Sequence, residues 1–549
     1  MTELSTLPMD RRIIGPMLAA RAREHGDRIY LRFGDRSWTY AEMDRDARAL
    51  GRGLRALGVE KQDKVALLLP NCPEFVISWY GASVVGAVFV PINPSYTGPL
   101  LDYIFTDSGS SGIIVHRSLF DQLRTIPEAT LKQLAWVAVV GGLDGLDLPA
   151  GPGRFLSYDD LPVVDGDDPA VECTFRDVQS IMYTSGTTGP SKGVIIPNGH
   201  FFASAATFVR ALGLTPDDIL YTPLPLFHGL ASRLGVLPAL MVGSEVVIAE
   251  KFSASQFWRQ AAECGATVGH TIFTLPTILK AQPPSEWDKA HTMRAMYNAN
   301  YDPEFEERFN VRLVEAYGLT ETGLTVYTPW PDRRQGSCGR AHEDFEIQLV
   351  DEDGLPVPVG ETGELVVRPK LPSIMMDGYI NKPEATLAAF ENLWFHSGDY
   401  ARRDADGYFY FVGRKKERIR RRGENISGFE VERIVGMHPD VAEVAAVAHP
   451  ASVGEDDVRC VIIRAEGSTL QPAELMDWLQ SRMPAFMMPR YIEFVSAMPR
   501  TPSEKVEKYK LVETGLGPTV WDREAAGYRL PGQKSPADGS ASTLSKKAS

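Results

Sequence analysis

Tyr183-Thr184-Ser185-Gly186-Thr187-Thr188-Gly189-Pro190-Ser191-Lys192-Gly193 holds three glycines, five serine or threonine hydroxyls and one lysine. The stretch follows Ser180-Ile181-Met182, which is typical of the end of a strand. This combination predicts a flexible loop that wraps phosphates with backbone N–H groups, hydroxyl donors and one cation. A surface linker is the alternative, but linkers rarely alternate hydroxyls so tightly with a terminal lysine.

The loop differs from the Walker sequence GxxxxGK[ST] at two positions. The Walker pattern needs glycine where Ser191 stands, and serine or threonine where Gly193 stands. A kinase or a P-loop ATPase is therefore disfavoured.

The chain around this loop alternates between helical and strand-like segments. Thr39-Tyr40-Ala41-Glu42 forms a capping box before apolar residues that recur with helical spacing up to Leu57, which predicts a helix. Short apolar runs are typical of buried parallel strands, and they occur at Lys64–Pro70, Gly112–Val115, Trp136–Val140, Glu245–Ile248 and Arg312–Val314. The alternation predicts an α/β fold with layered parallel sheets.

The texture changes after Asp344 to short strands and tight turns, which predicts a β-rich subdomain. A candidate domain boundary follows at Gly413, and the later segments suggest a small α+β domain. We therefore expect an N-terminal domain over 1–412, a hinge over 413–416, a C-terminal domain over 417–515 and an extension over 516–549. The last part, from 531, is expected to be disordered because it holds no aromatic residue and one leucine.

Composition excludes several classes of protein. The 549 residues carry 57 lysines and arginines against 71 acidic residues, a net charge of −14 that argues against coating nucleic acid or anionic lipid. The five cysteines show no CxxC spacing, which favours reduced thiols in a cytoplasmic protein. The uncharged stretch Phe75–Leu101 is broken by glycine, proline and asparagine, so a buried helix running into a strand is expected rather than a membrane span.

The phosphate-type loop resembles that of the adenylate-forming superfamily, which includes acyl-CoA synthetases, firefly luciferases and the adenylation domains of peptide synthetases. Four further segments resemble motifs of this superfamily in the expected order, and together the matches span Trp38 to Lys510. They are Tyr317-Gly318-Leu319-Thr320-Glu321, Trp394-Phe395-His396-Ser397-Gly398-Asp399, Gly413-Arg414-Lys415-Lys416-Glu417 and Pro499-Arg500-Thr501-Pro502-Ser503-Glu504-Lys505.

The resemblance implies a role for each matching residue. Lys505, Glu321, Thr184 and His228 would be catalytic, with Glu321 holding Mg²⁺ and Lys505 reaching into the adenylation site. Lys416 would be the pivot of a mobile C-terminal domain, Ser427, Gly428 and Phe429 would meet CoA, and His228 and Tyr297 would line the acyl pocket. The residues expected to bind ATP are Thr184, Ser185, Gly186, Thr187, Thr188, Gly189, Lys192, Asn298, Ala299, Asn300, Ala316, Tyr317, Gly318, Thr320, Asp399 and Arg414.

The sequence departs from the superfamily pattern at informative places. Glu504 stands where glycine is usual, and Tyr297-Asn298-Ala299-Asn300-Tyr301 replaces Gly-Gly-Ala, so bulk at Tyr297 is expected to shorten or reshape the acyl tunnel. His228 stands where amino-acid-activating relatives carry aspartate. The Tyr297 segment and Arg422-Gly423-Glu424-Asn425-Ile426-Ser427 are similar to crotonobetaine/carnitine-CoA ligases and their relatives.

The basic run Arg414–Arg422 carries seven lysines and arginines against one glutamate. The run alone is compatible with nucleic-acid binding or nuclear localisation. A hinge that meets the phosphates of ATP and CoA is the better interpretation, so no nucleic-acid partner is expected.

The resemblance predicts a two-step acyl-CoA ligase. A small carboxylic acid and ATP, with Mg²⁺, would form an acyl-adenylate and pyrophosphate, and the thiol of CoA would then displace AMP. Two alternatives stay open, namely an enzyme that loads a carrier-protein thiol and a non-catalytic nucleotide-binding protein. A homodimer also stays open.

Overall fold

The computed structural model describes residues 12–184, 191–271, 275–298, 301–414, 418–421, 424–451, 456–480, 482–483, 485, 487–500 and 506–530. The chain divides into two compact units, one of Met1–Ser397 with Arg402–Phe411 and one of Gly398–Ala401 with Val412–Ser549. The first unit contains three sheets and most of the helices. The second contains a smaller sheet with helices against it.

The strands in the described parts of the chain are β1 (Ile29–Phe33), β2 (Arg36–Thr39), β3 (Lys64–Leu68), β4 (Val88–Pro91), β5 (Gly112–His116), β6 (Trp136–Val140), β7 (Phe155–Ser157), β8 (Val178–Thr184), β9 (Lys192–Pro197), β10 (Ile219–Thr222), β11 (Glu245–Ile248), β12 (Val268–His270), β13 (Ala295–Tyr297), β14 (Arg312–Val314), β15 (Ala316–Leu319), β16 (Gly323–Tyr327), β17 (Gly339–Ala341), β18 (Phe345–Val350), β19 (Thr362–Pro369), β20 (Gly378–Tyr379), β21 (Phe390–Glu391), β22 (Trp394–Arg403), β23 (Tyr408–Arg414), β24 (Arg418–Arg421), β25 (Glu424–Ser427), β26 (Val441–Pro450), β27 (Asp456–Arg464), β28 (Tyr491–Phe494) and β29 (Trp521–Asp522).

The α-helices in the same parts are α1 (Ile14–His25), α2 (Tyr40–Ala56), α3 (Pro73–Val84), α4 (Gly98–Ser108), α5 (Glu128–Leu131), α6 (Asn198–Leu212), α7 (Gly229–Ala231), α8 (Leu237–Val242), α9 (Phe257–Glu263), α10 (Leu275–Lys280), α11 (Pro303–Phe309), α12 (Pro383–Ala389), α13 (Gly428–Val435), α14 (Pro472–Leu479) and α15 (Lys508–Glu513). A π-helix, Ser232–Val236, joins α7 to α8.

The first sheet has the order β20-β9-β8-β4-β3-β5-β6-β7. The strands from β8 to β7 pair in parallel, whereas β8, β9 and β20 pair antiparallel. All residues of β4 and β6 are buried, because a parallel sheet covered on both faces needs apolar side chains at every position. Strand β8 of this sheet ends at Thr184, where the predicted phosphate loop begins.

The second sheet has the order β14-β13-β12-β10-β11-β1-β2 and is parallel apart from the β1–β2 hairpin. In open α/β sheets, ligands bind beyond the carboxyl ends of the parallel strands. Residues that follow these ends include His228 after β10 and Asn298 directly after β13. The sheet therefore gathers several of the predicted site residues at one edge.

The third sheet is the β-rich subdomain, with the order β15-β16-β17-β23-β22-β19-β18 and with β21 paired to β22. Strands β18 and β19 form the antiparallel hairpin expected after Asp344. The turn between β15 and β16 carries Thr320 and Glu321. This turn brings the residue expected to hold Mg²⁺ to the sheet edge next to α6.

The second unit is built on the sheet β26-β27-β28-β29. Helices α13 and α14 supply core residues such as Val431 and Leu475, and Leu530 completes the same core. Asp457 forms ion pairs with two buried or nearly buried arginines, Arg421 at 3.0 Å and Arg490 at 2.8 Å. Residues 516–530 of the extension therefore pack on this unit, with β29 as an added edge strand.

The predicted α/β fold class is confirmed. Helix α2 begins at Tyr40 with both hydrogen bonds of the predicted capping box between Thr39 and Glu42. The five apolar runs form β3, β5, β6, β11 and β14, and Phe75–Leu101 begins in the buried helix α3 and runs into β4. Across the described ranges, every helix is too short or too polar to cross a bilayer.

Candidate active site

The two ends of the predicted phosphate loop meet in the β8–β9 hairpin. Thr184 pairs with Lys192, and its hydroxyl donates to the Lys192 carbonyl at 3.4 Å. Tyr103 donates its hydroxyl to the Ser191 carbonyl at 2.8 Å, and Tyr183 donates to Asp107 at 2.9 Å. These bonds anchor both loop ends on the first sheet and on α4. Ser185, Gly186, Thr187, Thr188 and Gly189 lie outside the described residues.

Tyr379 connects the loop lysine to the predicted metal-binding carboxylate. The Lys192 Nζ lies 4.6 Å from the centre of the Tyr379 ring, and the Tyr379 hydroxyl donates to Glu321 Oε1 at 3.0 Å. Burial, and secondarily the Glu321 carboxylate, raise the pKa of Tyr379, so its hydroxyl stays protonated as a donor. Strand β20 supplies this tyrosine because it pairs with β9. Sequence reasoning missed Tyr379, which belongs to none of the recognised motifs.

The carboxylate of Glu321 fits a magnesium ion that is shared with substrate phosphates. Mg²⁺ commonly binds one or two carboxylates together with phosphate oxygens and water, so a single acidic side chain is sufficient. Within the described ranges, no group of three or more His, Cys, Asp or Glu side chains forms a metal cage. The donor set therefore suits a substrate-borne ion and not a closed structural site.

The Thr320–Glu321 turn rests on buried side chains of α6 and of the π-helix. His200 Nε2 lies 3.0 Å from the Thr320 carbonyl oxygen, and Arg233 Nη1 lies 3.4 Å from the same oxygen. Burial, reinforced by Arg233, lowers the pKa of His200 to about 3, so this imidazole is neutral at physiological pH. Neither residue was predicted. The signal in the sequence is that Arg233 is the one charged residue between Gly229 and Gly243.

The predicted adenine site contains aromatic and amide groups. The Tyr317 ring stacks on Phe411 with a centroid separation of 6.3 Å. Asn298 is buried, and its Oδ1 accepts from the Thr271 hydroxyl at 3.0 Å. Gly318 has no room for a side chain, because a Cβ there would lie 2.0 Å from the Gly323 carbonyl oxygen. Ala316 begins β15, whereas Ala299 and Asn300 lie outside the described residues.

Glu315, which was not predicted, holds two loops beside this adenine site. Its carboxylate accepts from the backbone N–H groups of Tyr301 and Gly336, each at 3.0 Å. Burial raises the pKa of Glu315 to about 7 although both hydrogen bonds favour the ionised form. The group therefore changes charge near neutral pH at a position that fixes the segment after Asn300.

Asp399 and Arg414, the residues expected at the ribose, form an ion pair. Arg414 Nε lies 3.4 Å from Asp399 Oδ1, and the aspartate is only 3% exposed. Both residues belong to the second unit of the chain. A buried carboxylate beside a half-exposed guanidinium offers an acceptor and a donor to a ribose or phosphate.

The two predicted acyl-pocket residues differ in environment. His228 is exposed, and its Nδ1 accepts from the Leu230 backbone N–H at 3.1 Å, which caps the short helix α7. Tyr297 is buried at the end of β13, where its hydroxyl donates to the Ala316 carbonyl at 3.4 Å and its ring lies 5.7 Å from Phe208. Tyr297 therefore fills space between β13 and α6.

The remaining predicted residues belong to the second unit. Ser427 ends β25, and Gly428 and Phe429 begin α13, directly after the β24–β25 hairpin. Lys416 and Lys505 lie outside the described residues, so their roles remain predictions.

Comparison with known proteins identifies the family. The chain matches the family model of AMP-binding enzymes over residues 18–380 and that of the AMP-binding enzyme C-terminal domain over residues 430–505. The chain belongs to this family of adenylate-forming enzymes, and it is an AMP-forming acid–thiol ligase. The predictions of superfamily, fold class and enzyme class are confirmed.

Individual relatives are named CoA ligases. A crotonobetaine/carnitine–CoA ligase of Salmonella paratyphi A is 33% identical over 513 residues, covering 89% of this chain and 97% of that protein. Among solved structures, the anthranilate CoA ligase AuaEII with anthranoyl-AMP is 25% identical with a TM-score of 0.84, covering 93% of this chain and 99% of that chain. A Mycobacterium tuberculosis fatty acyl CoA synthetase is 29% identical with a TM-score of 0.68, and the match covers 92% of this chain and 99% of that chain. These names disfavour the carrier-protein alternative.

Proposed function

We propose that this enzyme converts a small carboxylic acid into its CoA thioester, with ATP and Mg²⁺, through an acyl-adenylate. The observation that carries the proposal is the chain of contacts from Lys192 through Tyr379 to Glu321. It brings a cation at the end of the phosphate loop and the expected metal-binding carboxylate to one tyrosine. A site that holds a cation and a carboxylate against the same tyrosine suits a polyphosphate that carries a divalent ion.

The first step is repulsive, because a carboxylate must attack the α-phosphorus of ATP while pyrophosphate departs. The acid oxygen forms a bond to phosphorus as the bond to the bridging oxygen breaks, and pyrophosphate takes the electron pair. Glu321 would hold Mg²⁺, and the bound ion would supply positive charge against the charge that develops on the leaving group. Lys192 and Lys505 contribute positive charge, and Thr184 contributes a hydroxyl donor. Asp399, paired with Arg414, would receive the ribose hydroxyls.

In the second step, the CoA thiol gives up its proton to solvent and its sulfur bonds to the acyl carbon, while the bond from that carbon to the AMP phosphate oxygen breaks and AMP leaves with the electron pair. We propose that the second unit rotates about Lys416 between the steps, withdrawing Lys505 and presenting Ser427, Gly428 and Phe429 to the pantetheine arm. Proline at 416 fixes φ and removes an N–H, so Lys416→Pro should slow thioester formation more than adenylation. Equal slowing of the two half-reactions contradicts the pivot.

The proposed acid is compact and polar. Buried Tyr297 occupies space next to the Asn298 segment, which supports a short pocket, and one relative is named a crotonobetaine/carnitine–CoA ligase. Long straight-chain acids are expected to be poor substrates. Tyr297→Gly should improve turnover of longer chains relative to short ones, because it removes the bulk at the end of β13.

The test is pyrophosphate release over a panel of carnitine, crotonobetaine, short, medium, aromatic and amino acids, each with and without CoA. The variants are Lys505→Ala and, as the matched control, Lys510→Ala, an exposed lysine of α15 that pairs with Glu507. Loss of a preorganised charge usually costs about 10² to 10³ in rate, so only Lys505→Ala should silence adenylation. Failure of every acid to release pyrophosphate, with intact ATP binding, contradicts the proposal.

A further inference from the structure

Arg233 is a buried cation without a role in the reaction described so far. Its side chain lies in the π-helix between α7 and α8 and is 5% exposed, within an otherwise uncharged stretch. Single π-helical turns are rare in proteins, and those that do occur are often found at functional sites. Taking an unpaired guanidinium out of water is costly, so the surrounding groups must compensate the charge.

The compensating groups are those of the metal-binding turn. Arg233 Nη1 lies 3.4 Å from the Thr320 carbonyl oxygen and 3.3 Å from each ring nitrogen of His200. Burial lowers the pKa of Arg233 to about 10, and the Glu321 carboxylate opposes this shift. A guanidinium keeps its proton in proteins, so Arg233 brings a positive charge to the turn that carries Glu321. Its Nε has no hydrogen-bond partner among the residues the structure describes.

His200 completes the support from the other side of the turn. Its Nδ1 lies 3.2 Å from the Ser204 hydroxyl, and its Nε2 faces the Thr320 carbonyl. The Thr320 carbonyl oxygen can only accept, so a neutral imidazole that bonds to it through Nε2 must carry its proton there and act as the donor. One backbone carbonyl thus receives two donors, one of them charged. We call His200 and Arg233 the pedestal.

We propose that the pedestal is a positioning device for adenylation: it fixes the Thr320–Glu321 turn and places a buried positive charge behind the ATP phosphates. The inference rests on the proposed function, in which Thr320 and Glu321 meet phosphate and Mg²⁺. The chemistry predicts an effect on MgATP and on the first half-reaction. It predicts none on the second half-reaction, which begins from the acyl-adenylate.

The experiment compares wild type with Arg233→Met, Arg233→Lys and His200→Leu. MgATP affinity is measured by calorimetry without any acid, and the two half-reactions are measured separately, the second from chemically prepared acyl-adenylate. Loss of a hydrogen bond from a charged donor corresponds to about a tenfold to hundredfold change, expected in the MgATP Kd and the adenylation rate of Arg233→Met. Arg233→Lys, which keeps the charge, should recover a large part of both. His200→Leu should weaken MgATP binding and slow adenylation, and no charge-retaining variant is expected to restore them as Arg233→Lys does for Arg233.

The matched control is Arg294→Met, which removes an arginine paired with Asp218 at 3.0 Å in the same unit, away from the turn. It should lower stability but leave the MgATP Kd unchanged. If Arg233→Met changes only the KM of the acid, Arg233 belongs to the acyl pocket and the pedestal is overturned. If Arg233→Met does not fold, an unchanged MgATP Kd in both Arg233→Lys and His200→Leu overturns it equally.

Failure of the proposed function has a different signature. A wild-type protein that binds MgATP yet turns over no acid contradicts the ligase proposal, while a weaker Kd in Arg233→Met still supports the pedestal. A wild-type protein that does not bind MgATP overturns both.

Discussion

Gly323 offers the sharpest test of how closely the Thr320–Glu321 turn packs on α6. Its φ is +69°, and a Cβ at this position would lie 2.1 Å from Ser204 Oγ and 3.1 Å from His200 Cε1. The left-handed conformation costs a non-glycine residue roughly 1–2 kcal/mol. Overpacking of a filled core costs about 1–3 kcal/mol more. Gly323→Ala should therefore reduce the free energy of unfolding by about 2–5 kcal/mol.

The two contributions can be separated by a double-mutant cycle. Ser204→Ala removes the oxygen that the new Cβ would meet, so Gly323→Ala in that background should cost clearly less, with the conformational part and the milder contacts to His200 Cε1 and Ser204 Cβ, at 3.1 and 3.3 Å, remaining. Gly34→Ala is the matched control, because Gly34 also has positive φ, at +56°, but no atom within 4 Å of its ideal Cβ. Urea unfolding followed by tryptophan fluorescence gives the free energies, and pyrophosphate release gives the effect on adenylation.

The reasoning is refuted if Gly323→Ala costs no more than Gly34→Ala. That result means that the turn moves away from α6 without penalty. If Gly323→Ala lowers the free energy of unfolding equally with and without the Ser204 hydroxyl, the close approach of residue 323 to Ser204 is refuted. Unchanged adenylation in a destabilised Gly323→Ala protein separates packing of the turn from its function.

Three further predictions follow from contacts elsewhere. Tyr379→Phe keeps the ring below Lys192 but loses the hydrogen bond to Glu321, and should weaken MgATP binding about tenfold in calorimetry, since bonds to charged groups contribute roughly 1.5–3 kcal/mol; an unchanged Kd refutes the link. Glu315 has a pKa of about 7 in the folded protein against an ordinary value of 4.5, so the folded state holds its proton more tightly and the free energy of unfolding should fall as pH rises through this window. In urea unfolding at a series of pH values, this decrease in the free energy of unfolding should be smaller in Glu315→Gln than in wild type, by at most about 3 kcal/mol, because one pKa unit corresponds to about 1.4 kcal/mol. Identical pH dependence of the unfolding free energy in the two proteins contradicts the assignment. Truncation after Gly515 removes β29 and the buried Leu530, and should lower the melting temperature of the second unit, whereas truncation after Leu530 should leave it unchanged; equal melting temperatures for the two truncations refute the packing role of β29.

Local signals explain why much of the fold is predictable from the sequence. The α2 capping box and the apolar runs of β3 and β6 are encoded by neighbouring residues, so they are visible without tertiary information. Boundaries are less secure. Helix α14, Pro472–Leu479, begins where it does because Gln471 and Glu474 form a capping box that places Pro472 in the first turn.

The site divides in the same way between residues with a local signature and residues without one. Thr184, Tyr317, Glu321 and Asp399 stand inside contiguous motifs, so the resemblance points to them directly. Tyr379 reaches Glu321 across 58 positions of sequence, and no spacing rule links them. His228 shows the opposite case. Its place in a motif suggests a pocket role, which stays a prediction, and the structure adds a helix-capping contact that a single sequence cannot reveal.

Residues that act through other residues are the hardest to predict, and the pedestal shows why. His200 and Arg233 contact Thr320 through its backbone carbonyl, so any residue at 320 presents the same acceptor and the motif records nothing of the contact. The lone arginine in an apolar stretch is a visible anomaly, but its compensating anion lies 88 positions later in the chain. Buried charge is costly wherever it occurs, so such an anomaly indicates that an anion or a dipole lies nearby in the fold. Here both are present in one turn, which is the argument for assigning Arg233 to the phosphate site.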